Sequence, residues 1–178
     1  MKKYQQIIAG NLIAINGLIV SIICPLTAIS QTASPTALDA KTKQAMIDAI
    51  NDEYRARAFY NAVVQKFGSV RPFSNIVQAE NNHVNLWKVL FTKYGMNVPT
   101  DVFAGKMTVP NTLQAACQGG IENEIANVQM YDRFLGFVTQ PDLQAVFRQL
   151  RQVSQERHLP AFQRCQNRLG IGQSHNFY

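Results

Sequence analysis

Four stretches of this 178-residue chain repeat their apolar residues at intervals of three and four, each for more than 20 residues. The first carries Met46, Ile50, Tyr60, Val64 and Phe67 and stops at Gly68. The second carries Phe73, Ile76, Trp87, Leu90 and Tyr94 and stops at Gly95. The third runs through Leu113, Cys117, Ile121, Val128, Tyr131, Leu135 and Val138 to Gln140-Pro141. The fourth runs through Leu143, Phe147, Leu150, Ser154, Ala161, Cys165 and Leu169, and Gly170 closes it. This period is helical, and no stretch sustains the two-residue alternation of a strand. The chain is therefore expected to be all-α, with four long helices.

The connections restrict the topology. About three residues separate the first helix from the second, and about three the third from the fourth, which forces antiparallel hairpins. Met96 to Asn111 is longer and holds two prolines and a glycine. Sixteen extended residues reach roughly 50 Å, whereas a helix of about 23 residues is roughly 35 Å long. The segment can thus travel the length of the bundle. Two antiparallel helical hairpins joined by a long crossover make a ferritin-like four-helix bundle. The bundle is expected over residues 31–170, with residues 171–178 as a carboxyl-terminal tail.

The stripes are interrupted by ionisable residues where a core should be apolar. Glu53 interrupts the first, Glu80 and His83 the second, Glu124 the third and His158 the fourth. Glu122 and Glu156 stand about 200° away on their helices and should face solvent. Counted from the hairpin turns at about 1.5 Å per residue, the five lie at similar depth and can meet in one mid-bundle layer. Three buried carboxylates would repel one another and lose hydration. Cations remove that cost, and the spacing Glu80-x-x-His83 aims a carboxylate and an imidazole at one ion. A weak repeat supports the grouping: Glu53 precedes Tyr60 by seven residues, as Glu124 precedes Tyr131. Glu80 precedes His83 by three, as Gln155 precedes His158, so Gln155 occupies the place of a fourth glutamate. Iron or manganese suits mixed carboxylate and imidazole ligands, and zinc is an alternative. Tyr60 and Tyr131 are candidate hydrogen-bond donors to the carboxylates, or simple packing residues. Arg57 either neutralises a carboxylate or lies along the flank.

The amino terminus bears on the compartment. Met1-Lys2-Lys3 precedes an apolar run from Ile7 to Ile29 and then small residues, the layout of a cleaved signal peptide over residues 1–30. A retained anchor is the alternative, since the run nears spanning length. Cleavage after Ser30 leaves 148 residues with a net charge of +4. It also leaves two cysteines, Cys117 and Cys165, about one helical turn apart in depth, so a disulfide is feasible in an exported protein. The remaining basic residues are dispersed, which argues against nucleic-acid binding. A secreted or periplasmic protein is expected, with metal ions as partners, no membrane attachment after cleavage, and a homodimer left open.

Several segments carry a family resemblance: Asp52-Glu53-Tyr54-Arg55-Ala56-Arg57-Ala58-Phe59-Tyr60, Phe73-Ser74-Asn75-Ile76 leading to Glu80-Asn81-Asn82-His83, Glu124-Ile125-Ala126-Asn127, and His158-Leu159-Pro160-Ala161-Phe162. With them the chain resembles ferritin-like four-helix domains. It is similar to a bacterial and archaeal domain family of unknown function, and more distantly to rubrerythrin-type di-iron proteins. The resemblance covers nearly all of residues 37 to 169. It implies that Glu53, Glu80, His83, Glu124 and His158 ligate iron, with Gln155 as a neutral, weaker ligand. The chemistry it implies is oxidoreductase work on oxygen, peroxide or ferrous iron. The alternative is a non-catalytic envelope bundle with a vestigial or structural metal site.

Overall fold

The computed structural model describes residues 37–174; the expected signal peptide and the last four residues lie outside the described residues. The helices are α1 (Ala40–Phe67), α2 (Phe73–Lys93), α3 (Leu113–Leu135), α4 (Pro141–Val153) and α5 (Leu159–Ser174). A π-helical turn, Ser154–His158, joins α4 to α5, so these three pieces form the fourth arm of a four-helix bundle. Among the described residues there is no strand. None of the described helices is long and apolar enough to cross a membrane.

Local chemistry sets the helix ends. Asp39 starts α1 by accepting the Thr42 backbone N–H at 2.8 Å. Thr112 does the same for α3 through the Ala115 N–H at 3.2 Å. Past α2, Gly95 takes φ +63°, a left-handed conformation that costs glycine nothing, and the Met96 N–H bonds back to the Phe91 carbonyl. Pro141 opens α4 at a position where its missing N–H is not needed. The fourth arm does not stop at Gly170 but continues to Ser174, into the segment expected to be tail. A helical glycine costs about 1 kcal/mol relative to alanine, which weakens a helix without ending it.

Contacts between the ends fix the arrangement. Lys41, at the start of α1, lies over the Phe137 ring just past α3, and Lys93 and Tyr94 at the end of α2 both bond Asp142 at the start of α4. At the other end, Lys66 of α1 donates to the carbonyls of Val109 and Pro110 just before α3. Cys117 near the start of α3 is joined to Cys165 of α5 by a disulfide, with their Cα atoms 6.0 Å apart. Residues 94–112 therefore run alongside α1 from one end of the bundle to the other. The Tyr54 hydroxyl donates to the Pro99 carbonyl on the way, and Arg57 bonds Asp101.

The core has two apolar halves. One packs Met46, Ile50, Trp87, Tyr131, Phe147 and Leu150; the other packs Tyr60, Val63, Phe73, Cys117, Phe162 and Cys165. Along every arm the ionisable residues of the sequence stripes fall between these halves. The bundle is thus a sandwich of two apolar plugs around one polar layer.

Candidate metal centre

Glu53 on α1, Glu80 on α2, Glu124 on α3 and His158 at the end of the π turn are all buried, and His83 on α2 is nearly so. Ligand atoms of Glu53, Glu80 and His83 lie within 4.8 Å of one another, and so do those of Glu80, Glu124 and His158. Bonds of about 2.0–2.2 Å to a metal put ligand atoms of one ion up to about 4.4 Å apart, so small side-chain movements would close either triad on an ion.

Glu80 belongs to both triads. Its Oε2 lies 2.9 Å from Nδ1 of His83, and its Oε1 lies 3.2 Å from Nδ1 of His158. The outer carboxylates are arranged in mirror fashion. Glu53 Oε2 lies 3.2 Å from His83 Nδ1, while its Oε1 accepts the Tyr131 hydroxyl. Glu124 Oε2 lies 3.5 Å from His158 Nδ1, while its Oε1 accepts the Tyr60 hydroxyl at 2.6 Å. Each tyrosine thus reaches across to the opposite hairpin and leaves one oxygen of its glutamate facing the centre. The two imidazoles stack with centroids 5.8 Å apart.

The electrostatics follow from burial. Desolvation, with the Glu80 charge beside it, pushes the Glu53 carboxyl up to about 7. Desolvation would raise Glu80 as well, but the imidazoles of His158 and His83 outweigh it and hold this carboxyl below its ordinary value. For the histidines burial opposes charge, yet Glu53 and Glu80 raise His83 to about 10, and Glu124 and Glu80 raise His158 to about 9. Burial and the facing carboxylates push both tyrosines well up. The two histidines are not equally satisfied. His83 Nδ1 has hydrogen-bond geometry to two carboxylates, whereas buried His158 Nδ1 has none, although two carboxylate oxygens converge on it. An orphaned buried nitrogen facing oxygens is what a shared cation would satisfy, so the donor set fits a metal.

Gln155 lies elsewhere. Read from the sequence as the fourth-glutamate position, it is exposed and accepts a hydrogen bond from Arg151 at 2.5 Å. The reason is the π turn. The Leu159 N–H bonds the Ser154 carbonyl, five residues back, which widens this turn and turns Gln155 away from the His158 face. Arg57 serves the crossover rather than the layer, bonding Asp101 at 2.6 Å and Asn81 at 3.3 Å. Glu122, Glu156, Arg157, Arg164 and Arg168 are exposed.

Sequence reading passed over Asp52 and Asn127, two buried polar residues beside the layer. Their signal was Ser154, a hydroxyl on an apolar stripe that needs a buried partner. Ser154 Oγ donates to Asn127 Oδ1 at 2.8 Å, and Asn127 Nδ2 donates to Asp52 Oδ2 at 2.7 Å.

No protein-family model matches the chain, and no curated protein matches it. Among solved structures it is similar to a hypothetical protein from Methanococcus jannaschii DSM 2661, at 22% identity and a TM-score of 0.67. The match covers 76% of this chain and 85% of the archaeal one. A likeness at that identity shows a shared helical fold.

Proposed function

We propose that the protein is an exported, ferritin-like metal-binding protein that holds one or two iron or manganese ions between its two hairpins. The observation that carries this reading is the pair of buried triads sharing Glu80, with His158 Nδ1 left without a hydrogen bond between two carboxylate oxygens. The connectivity, two hairpins with a full-length crossover, supports the ferritin-like assignment. The apolar segment at residues 1–30 supports export. Glu53, His83 and Glu80 would hold one ion; Glu124, His158 and Glu80 the other. Tyr60 and Tyr131 orient the outer glutamates, so each offers one oxygen. When bound, an ion with three protein ligands keeps open positions at which oxygen, peroxide or ferrous iron can react.

The doubly bonded His83 favours a second reading, in which imidazolium and carboxylates neutralise each other and the layer is purely structural. Metal analysis of protein purified without chelator separates the two. The metal reading expects about one to two equivalents of iron or manganese, and a stability gain of about 2.7 kcal/mol at free metal 100-fold above Kd. It expects Glu80→Gln to lose both ions and His83→Ala or His158→Ala to lose one each. No bound metal, together with an unchanged Tm on adding ferrous iron, would establish the structural reading.

A further inference from the structure

Asp52, Asn127 and Ser154 form a buried hydrogen-bonded chain that none of the proposed ligands takes part in. It joins three arms: Asp52 on α1, Asn127 on α3 and Ser154 at the first position of the π turn. The bonds run in one direction, from the Ser154 hydroxyl to Asn127 and from the Asn127 amide to Asp52. At its outer end Asp52 Oδ1 accepts from the half-exposed Arg55. A buried polar group left without a partner costs about 1–3 kcal/mol, so losing one member leaves the next one unsatisfied.

Each member sits close to a ligand on its own element. Asp52 precedes Glu53, Asn127 follows Glu124 by three residues, and Ser154 precedes His158 by four. Ser154 is held twice, through its side chain by Asn127 and through its carbonyl by the Leu159 N–H that defines the π turn. A π turn is a rare departure from the α-helix that is seen mostly as a single turn, and its placement depends on the side chains that hold it. Here those side chains are Asn127 and, behind it, Asp52. His158 ends the same turn.

We propose that Asp52, Asn127 and Ser154 are positioning residues that anchor the π turn to α1 and α3 and so aim His158 Nδ1 at Glu80 and Glu124. The proposal rests on the metal-binding reading. Without the anchor the turn relaxes toward α-helical geometry and His158 swings off the converging oxygens. His83 stands on α2, which contributes nothing to the chain, so the triad of Glu53, Glu80 and His83 keeps its geometry when Ser154 is lost.

Cobalt(II) titration of the full chain, followed by visible absorption, tests this. His83→Ala and His158→Ala assign the binding steps to the two triads. Ser154→Ala is expected to weaken the His158 step about 10–100-fold while the His83 step stays within about two-fold, and Ser154→Thr, which keeps the hydroxyl, restores it. Equal weakening of both steps, or no weakening of either, overturns the proposal. If Ser154→Ala does not fold, Ser154→Cys replaces it with the same two outcomes. Should the unmutated chain take up no cobalt, iron or manganese, the metal reading fails by itself. The anchor is then read from nuclear Overhauser effects between the His158 and His83 rings in the metal-free protein. Ring-to-ring effects that vanish in Ser154→Ala and persist in Ser154→Thr uphold it; effects that survive intact in Ser154→Ala overturn it.

Discussion

The Tyr60 hydroxyl on α1 donates to Glu124 Oε1 on α3 at 2.6 Å, and Tyr131 on α3 returns the same contact to Glu53 on α1. The two hairpins are thus cross-bonded through their own candidate ligands. A buried hydrogen bond to a charged group is worth about 1.5–3 kcal/mol. Tyr60→Phe is expected to lower the Tm of the metal-free protein by about 4–8 °C, corresponding to about 2 kcal/mol. Tyr131→Phe should act alike, and thermal melts of the single and double variants read both the cost and its additivity.

Metal-free protein should lose stability as pH rises from acid to alkaline. Glu53 is raised to about 7 from an ordinary 4.5, so its contribution is complete below about 4.5 and is lost as pH passes through 7. His83 and His158 are raised from 6.5 to about 10 and about 9, so theirs is complete below 6.5 and lost through 9 to 10. Glu80 is lowered, so it contributes above 4.5 and its share is lost only on acidification. A divalent ion displaces the protons from both imidazoles, so metal affinity should rise with pH. Melting curves from pH 5 to 10, in chelator and in manganese, should diverge as pH rises; curves that stay parallel would contradict the assignment.

Cys117 and Cys165 close a loop with a sequence separation of 48. Loop-closure entropy for that length is about 4 kcal/mol, and measured losses on removing such bonds are typically about 2–4 kcal/mol. Cys117→Ser with Cys165→Ser, or treatment with a reductant, should lower the Tm accordingly in calorimetry. The disulfide sits in one apolar half, away from the polar layer, so metal stoichiometry should not change.

Gly120 on α3 faces Phe162 so closely that an added Cβ would lie 2.5 Å from the ring. Gly120→Ala should therefore destabilise by about 1–3 kcal/mol through overpacking, despite the helix propensity it gains. Denaturant unfolding reads the sign: a more stable variant would mean that Phe162 moves aside freely.

Periodicity made the four arms legible because each buries one face. It also singled out Glu53, Glu80, His83, Glu124 and His158 as polar interruptions of those faces. The fourth arm shows where that reasoning stops. At about 100° per residue, Ala161 falls about 40° from Phe147 and Phe162 about 60° on the other side, so the sequence favours Ala161 for the core. The structure buries Phe162 and leaves Ala161 half-buried, because the π turn between them and α4 changes the register. The same turn removes Gln155 from the layer. No local signal in Ser154-Gln155-Glu156-Arg157-His158 announces it; its support comes from Asn127 and Asp52, 27 and 102 residues earlier in the chain. Asp52 escaped notice for a related reason. It stands about 100° from Glu53, off the apolar stripe, and only the docking of α3 against α1 buries it.

The two triads also differ in how much of the chain they need. Glu53, Glu80 and His83 all belong to the first hairpin, whereas Glu124 and His158 come from the second and borrow Glu80. The first triad thus draws on α1 and α2 alone. The other comes into being only when the hairpins dock, the step that takes the whole layer out of water. In the metal-binding reading the second position would therefore depend on the docking of the hairpins, whereas the residues of the first all come from one of them.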